Sequence, residues 1–350
     1  MSGGITQLVA VGAQDVHLVG NPEVSLFQSQ YKRHTNFAQL TDRQVIQGNP
    51  ANNGMSSVRL ERKGDLISQV YLTVNRAGAA VELTPAQWKL AIDKVEILVG
   101  GQIIDTHHSE YSLDVHTRAC NTTFTKYDWS QLAQTAMYPL RFSFFEYLQS
   151  AIPMVALQYH DVELRIYWGS DLNPDGGSGN VVPECYGNYI YLDTDEREMF
   201  VSRPRDMLIT QVTRMPAPGT TRADLNFNHP VKFIASSSAA TWVDLADKLK
   251  LQINGVDLAD FKFAQPHFTE APLFYNTSYG DLTVSNDFFM YAWATCIDKL
   301  QPTGSLNFSR IDSARLISAS SLIDSDIYAM NYNVLRIENG LGGRRIIKKI

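Results

Sequence analysis

Apolar and polar residues alternate with a period of two along most of this chain. In Leu66-Ile67-Ser68-Gln69-Val70-Tyr71-Leu72-Thr73-Val74 one face carries Leu66, Val70, Leu72 and Val74. In the segment after Asp161 one face carries Val162, Leu164, Ile166 and Trp168, and the other Asp161, Glu163, Arg165 and Tyr167. Near the end Tyr328, Met330, Tyr332 and Val334 share a face. Successive strand side chains point to opposite faces, so this pattern predicts antiparallel sheet with one buried side. Helical signals are short. Thr84 followed by Pro85 is a cap with proline at the first helical position, and predicts about two turns over 84–92. The acidic start of Asp193-Thr194-Asp195-Glu196 suits a helix N-terminus and predicts another short helix over 193–201.

The strand pattern is written twice. Val95-Glu96-Ile97-Leu98-Val99 runs into Gly100-Gly101, and Leu249-Lys250-Leu251-Gln252-Ile253 runs into Asn254-Gly255. Both pairs suit two-residue hairpin turns, which need positive φ at both positions. A further strand follows each turn at nearly the same distance: Gly101 to Asp161 is 60 residues (161 − 101) and Gly255 to Asp312 is 57 (312 − 255). Two units of one layout predict a duplicated domain. The loop 173–187, rich in Gly, Pro and Asn, precedes a boundary placed at 193–206, and a fresh strand at 207–212 follows it. Many short strands with long connections between paired ones favour jelly-roll winding.

At 350 residues the chain exceeds what one core usually serves, in keeping with two domains. Net charge is −6, so the chain as a whole is not a generic nucleic-acid binder. Cys120, Cys185 and Cys296 are odd in number and form no CxxC pair, which argues against a disulfide framework. The start of the chain lacks the basic and continuous apolar regions of a signal peptide. The longest apolar run, 151–157, holds a proline and is too short to span a bilayer.

Several segments then carry a specific resemblance. Gly12-Ala13-Gln14-Asp15-Val16-His17-Leu18-Val19-Gly20-Asn21-Pro22, with Tyr31-Lys32-Arg33-His34-Thr35-Asn36-Phe37-Ala38, is similar to the N-terminal signature of the major capsid proteins of nucleocytoplasmic large DNA viruses. Arg62-Lys63-Gly64-Asp65-Leu66-Ile67, Leu157-Gln158-Tyr159-His160-Asp161-Val162, Leu225-Asn226-Phe227-Asn228-His229-Pro230-Val231-Lys232, Asn307-Phe308-Ser309-Arg310-Ile311-Asp312 and Asn331-Tyr332-Asn333-Val334-Leu335-Arg336 resemble that family in the same order. The resemblance implies an all-β chain of two consecutive eight-stranded antiparallel jelly-roll sandwiches, with a few short helices in loops. It divides the chain into an N-terminal arm (1–25), a first jelly roll (26–200), a second (201–343) and a basic C-terminal tail (344–350). It also implies a homotrimeric, pseudo-hexagonal capsomer tiling an icosahedral shell in the virion, made in the host cytoplasm. Its partners would be itself, neighbouring capsomers, minor capsid proteins and an internal membrane beneath the shell, with no specific nucleic-acid binding. The connections here are short for that family, so a minor capsid paralogue is an alternative.

Catalytic signals are sparse, and no cofactor, catalytic residue or enzymatic role is expected. His107, His108, Glu110 and His116 form the one candidate metal constellation; His107 and His108 cannot ligate together from a regular strand, which leaves His108, Glu110 and His116. The acidic pairs Asp161/Glu163 and Asp193/Asp195 suit a solvated face better than glycosidase chemistry. No phosphate loop, G-x-S-x-G elbow or HExxH occurs. Asn-x-Ser/Thr triplets stand at Asn121, Asn276 and Asn307, with a structural role expected at Asn307. A carbohydrate-binding or carbohydrate-cleaving sandwich is the alternative of another class, and would use exposed Trp129, Trp242 or Trp293. The tail Arg344-Arg345-Ile346-Ile347-Lys348-Lys349 is a candidate contact for anionic material, and 2–21 is expected to lie on a neighbouring domain or on the inner side of the shell.

Overall fold

The computed structural model describes residues 2–9, 12–120, 134–177, 181–237, 247–277 and 288–344. Met1–Asn36 and Phe37–Ile350 are separate compact units. The first unit holds two short helices, Ser2–Val9 and Val16–Val19, and leaves Val16, Leu18, Leu26 and Phe27 exposed.

The second unit is built of four antiparallel sheets. Its first eight principal strands are β1 (Phe37–Gln44), β2 (Met55–Arg59), β3 (Leu66–Arg76), β4 (Ile92–Val99), β5 (Gln102–His108), β6 (Met137–Pro139), β7 (Val162–Trp168) and β8 (Val182–Leu192). They pair in the orders β1-β8-β3-β6 and β2-β7-β4-β5. The next eight are β9 (Arg205–Met215), β10 (Arg222–Asp224), β11 (Pro230–Ser237), β12 (Lys248–Ile253), β13 (Val256–Asp257), β14 (Phe288–Ala292), β15 (Ala314–Ser318) and β16 (Ile327–Glu338). Their orders are β9-β16-β11-β14 and β10-β15-β12-β13. Strand n of the first set thus corresponds to strand n + 8 of the second. Both sets are jelly rolls, and short extra strands pair at their edges.

The duplication extends to details of the backbone. Gly100 (φ 57) and Gly101 (φ 79) turn β4 into β5, and Asn254 (φ 49) and Gly255 (φ 78) turn β12 into β13. Both are the left-handed two-residue turns that the alternation predicted. The Gly100 N–H donates to Asp161 O at 2.9 Å, and the Asn254 N–H to Ser313 O at 2.7 Å. The long central pairings carry matching irregularities as well. Register slips between Tyr186 and Asn188 where β8 meets β3, and between Val231 and Phe233 where β11 meets β16.

The predicted helices form at Pro85–Ala91 and Thr194–Ser202. The Thr84 hydroxyl accepts from Gln87 N at 3.2 Å and the Gln87 carboxamide oxygen from Thr84 N at 2.8 Å, a reciprocal cap that satisfies two otherwise orphaned donors. Asp193 caps the second helix through Thr194 N at 2.7 Å.

One expectation needs correction. On β7 burial alternates as predicted, with Val162, Leu164, Ile166 and Trp168 inside. On β16 both faces are covered: Ile327 and Ala329 line the core of the second roll, while Tyr328 and Met330 belong to a separate apolar cluster. That cluster forms because a segment of the first roll crosses the outer face of this sheet. After β5 the chain makes a π turn at Tyr111–Val115 and a helical turn at His116–Ala119. Tyr111, Val115, Ala119 and Cys120 then pack against Phe233, Ala235, Phe288 and Met290.

Candidate functional site

The chemistry of this chain concentrates where its two jelly rolls meet. Strand β5 ends the second sheet of the first roll, and β9 begins the first sheet of the second. Between them the Val212 N–H donates to Asp105 Oδ1 at 3.0 Å, and the Gln211 carboxamide donates to the Ile104 carbonyl. Ile209, Leu335 and Ile337 of the second roll are continuous with the apolar core of the first. Beyond β16, a short strand at Leu341–Arg344 folds back over the first roll. Tyr159 N donates to Gly340 O at 3.0 Å, and His160 Nδ1 lies 2.8 Å from Gly342 O. Glycine is needed here for close approach, since a Cβ on Gly340 would lie 2.7 Å from the Tyr159 ring.

A buried polar cluster sits beside this seam. Asp105 accepts from the His107 ring at 2.9 Å, and the ring stacks on Phe142 at 4.3 Å between centroids. His116 Nε2 lies 3.2 Å from Glu146 Oε2, and Arg141 Nη1 lies 3.1 Å from Glu146 Oε1. From the second roll Lys232, 1% exposed, donates to Ile297 O at 2.6 Å and Lys299 O at 2.9 Å. Lys232 is the residue left over at the register slip of β11, so the bulge places this cation. Tyr147 crosses the seam to donate to the Asp298 carbonyl. His107, His116, Cys120, Arg141, Glu146 and Lys232 line a common cavity, with His107 Nδ1, His116 Nδ1 and Arg141 Nε buried without protein partners.

Burial raises the Glu146 carboxyl, and the opposing attraction of His116 and Arg141 prevails, holding it at about 2. Burial also pushes His116 below its usual range, favouring the neutral ring, and pulls Lys232 down against nearby carboxylates and thiols. A half-satisfied set of buried charges stabilises little by itself. Separating the rolls would instead break the bonds that cross between them, Val212 to Asp105, Gln211 to Ile104 and Tyr147 to Asp298.

The candidate metal ligands are dispersed. His116 pairs with Glu146, Glu110 accepts from Tyr328 OH at 3.0 Å, and His108 stands half-exposed on the strand face opposite His107. Among the described residues no three His, Cys, Asp or Glu are placed to hold a metal. Three of the four acids in the candidate pairs have structural partners. Asp161 takes Arg59 at 2.7 Å and Arg62 at 3.3 Å, Glu163 lies 3.6 Å from Arg165, and Asp193 is the helix cap. Asn276 donates to Ala294 O at 2.9 Å, and Asn307 accepts from Ser309 N at 3.0 Å. Asn121, Trp129 and Trp242 lie outside the described residues, as does the tail after Arg344. Arg344 itself donates to Ile103 O at 2.7 Å. Trp293 is half-buried, 5.1 Å from Tyr291 and 5.4 Å from Phe308 between ring centroids. Sequence reading missed Arg141, Glu146 and Lys232. Their signal was faint: isolated charges within otherwise apolar strands and turns.

Two jelly rolls in tandem, joined by a broad apolar and hydrogen-bonded seam and assembled from capped turns and paired charges, define a double jelly-roll building block. Comparison with known proteins makes this specific. The family described as major capsid protein N-terminus matches residues 25–193. The major capsid protein of Pyramimonas orientalis virus is 32% identical, with 98% of this chain and 99% of that protein covered. That of Paramecium bursaria Chlorella virus 1 is 31% identical, again over 98% of this chain and 99% of the relative. A quasi-atomic structure of the PBCV-1 virus capsid superposes with a TM-score of 0.76 at 25% identity, covering 93% of this chain and 100% of that one. The faustovirus major capsid protein shares the fold, with a TM-score of 0.68 at 11% identity over 94% of each chain. The chain belongs to the major capsid protein family of nucleocytoplasmic large DNA viruses. It is a structural subunit of an icosahedral virion shell.

Proposed function

We propose that three copies of this chain close into a pseudo-hexagonal capsomer, six jelly rolls forming six walls. The observation that carries this reading is the heterologous character of the seam. Strand β5 of one roll meets strand β9 of the next, so the surfaces in contact are different and the contact can be repeated. A heterologous contact that closes gives a ring. Duplication means that three chains supply six such units. In this reading residues 1–25 form an arm, residues 26–200 carry the first roll, 201–343 the second, and 344–350 a basic tail. The shell protein works through geometry, its rolls acting as walls. Its partners are other copies of itself and the neighbouring capsomers.

Sedimentation of the purified chain, together with electron microscopy, tests the proposal. Particles of three chains with sixfold-like outlines are expected. A chain that remains monomeric across concentration and salt would overturn it.

A further inference from the structure

The buried cavity at the seam gathers polar atoms that the protein leaves unbonded, and their chemistry specifies a ligand. His107, His116, Arg141 and Ser143 line it and are 4%, 2%, 9% and 4% exposed. His107 Nδ1, His116 Nδ1, Arg141 Nε and Ser143 Oγ are buried and have no hydrogen-bond partner among the described residues. A buried polar group left unbonded is destabilising, and native interiors rarely keep one. From the second roll Thr210, Lys232, Ile297 and Met330 close over the same space. The cavity volume is about 10 Å³, on the scale of a single water.

The other ends of these side chains assign the protons. His107 Nε2 faces Asp105 Oδ2 at 2.9 Å, and His116 Nε2 faces Glu146 Oε2 at 3.2 Å. A carboxylate accepts and does not donate, so each ring carries its proton on Nε2. In the neutral ring Nδ1 is then a lone pair that needs a donor, and burial favours neutral His116. Arg141 directs Nη1 at Glu146 at 3.1 Å and keeps its Nε–H to donate, while the Ser143 hydroxyl can do either. Both rings are held in place: His107 stacks on Phe142 at 4.3 Å, and His116 meets the Tyr111 ring edge-on at 5.8 Å. The cavity therefore presents two acceptors, one donor and one group of either kind. A halide ion only accepts and would meet two lone pairs. A cation would meet the Arg141 N–H. A small molecule with two donors and two acceptors satisfies all four.

We propose that this cavity is a binding site for one internal water, which donates to His107 Nδ1 and His116 Nδ1 and accepts from Arg141 Nε and Ser143 Oγ. Four bonds are the full complement of a buried water. The water joins two arms of polar side chains that otherwise end separately. One arm runs from Asp105 through His107, and Asp105 also takes the Val212 N–H of the second roll at 3.0 Å. The other runs from Arg141 through Glu146 to His116. With the water in place the bond at the seam and the buried ion pair belong to one continuous network, and such networks are worth most when every member is satisfied. The site lies inside a single chain, so it holds whether or not copies of the chain associate.

The test uses crystals of the full chain at neutral pH, at a resolution that shows ordered water. One water peak at ~2.7–3.2 Å from all four atoms is expected. Neutron diffraction from the same crystals should place the ring protons of both histidines on Nε2. A bromide soak should give no anomalous peak at this position. Ser143→Val puts apolar bulk into the cavity and should abolish the water peak, with circular dichroism checking the fold. The wild-type measurements decide the question by themselves should that variant not fold. Absence of density between the four atoms, a ring proton on Nδ1, or a bromide peak in the cavity would each overturn the proposal. So would a water peak that persists unchanged in folded Ser143→Val.

Discussion

Glu146 holds His116 and Arg141 on its two carboxylate oxygens, at 3.2 Å and 3.1 Å, in the buried seam between the jelly rolls. The arrangement makes the carboxylate more costly to remove than to keep. Replacing it leaves a guanidinium buried with one partner fewer, and breaking such a buried pair commonly costs about 3–5 kcal/mol. Glu146→Ala is expected to destabilise the chain by that order, measured by denaturant unfolding.

The same group sets an acid limit. Glu146 is held at about 2 in the folded chain, below its ordinary 4.5. A depressed carboxylate contributes stability that is present above the unfolded value and is lost as pH falls from 4.5 toward 2. His116 is also lowered, by burial. The unfolded chain therefore takes up its proton first, and stability begins to fall below its ordinary value of 6.5. Thermal unfolding should show a melting temperature that declines through both windows on acidification. The Glu146→Gln variant should lose the lower part of that decline, and a flat profile from pH 7 to 3 would contradict the assignment.

Gly100 and Gly101 separate two costs of a side chain in a left-handed turn. A Cβ on Gly100 (φ 57) would lie 2.3 Å from His160 Nδ1, whereas one on Gly101 (φ 79) meets nothing within 4 Å. Gly101→Ala should cost only the conformational penalty of about 1–2 kcal/mol. Gly100→Ala should cost more, because it also displaces the ring that meets Gly342. Equilibrium unfolding of the two variants gives the comparison directly.

In the second roll the corresponding turn relies on a side chain. Asn254 Oδ1 accepts from Asp312 N at 3.0 Å and Ser313 N at 3.2 Å. Asn254→Gly keeps the backbone conformation and loses both bonds, so a loss of about 1 kcal/mol is expected. Asn254→Ala adds left-handed strain and should be worse. A variant ordering reversed from this would show that the hydrogen bonds contribute nothing.

Phe233 is fully buried in the cluster where residues 111–119 cross the second roll. Phe233→Ala should cost about 3–5 kcal/mol. Hydrogen exchange should increase selectively at Tyr111–Val115, on the other jelly roll. Exchange that rises only within β11 would argue that the seam does not transmit the loss.

Several of these features were legible from the residues alone, and physical locality explains which. The twin turns at 100–101 and 254–255 could be read because positive φ is demanded of the very residues that adopt it. The Thr84–Gln87 cap and the Asp193 cap are likewise short-range, and β7 alternates because its partners all lie on one side. The three candidate metal ligands stand apart for the converse reason. His108, Glu110 and His116 are close in sequence, but a strand, a π turn and a helical turn send them to three different environments. The two-sided burial of β16 was equally hidden, since a strand pattern cannot announce that a segment two hundred residues away will cover its outer face. The covering segment begins at Tyr111 and the strand it covers includes Tyr328, whose hydroxyl reaches Glu110.

By itself, then, the sequence determined the strands, the turns, the duplication and, through collinear motifs, the family. Each of these depends on backbone preferences and side-chain periodicity within a few residues, or on comparing one stretch of chain with another. Tertiary structure alone decided that Lys232, Arg141 and Glu146 share one buried seam, and that β16 is covered on both faces. Those outcomes turn on which surfaces desolvate each other across long separations. Periodicity can announce an apolar or charged edge, but only packing selects its partner.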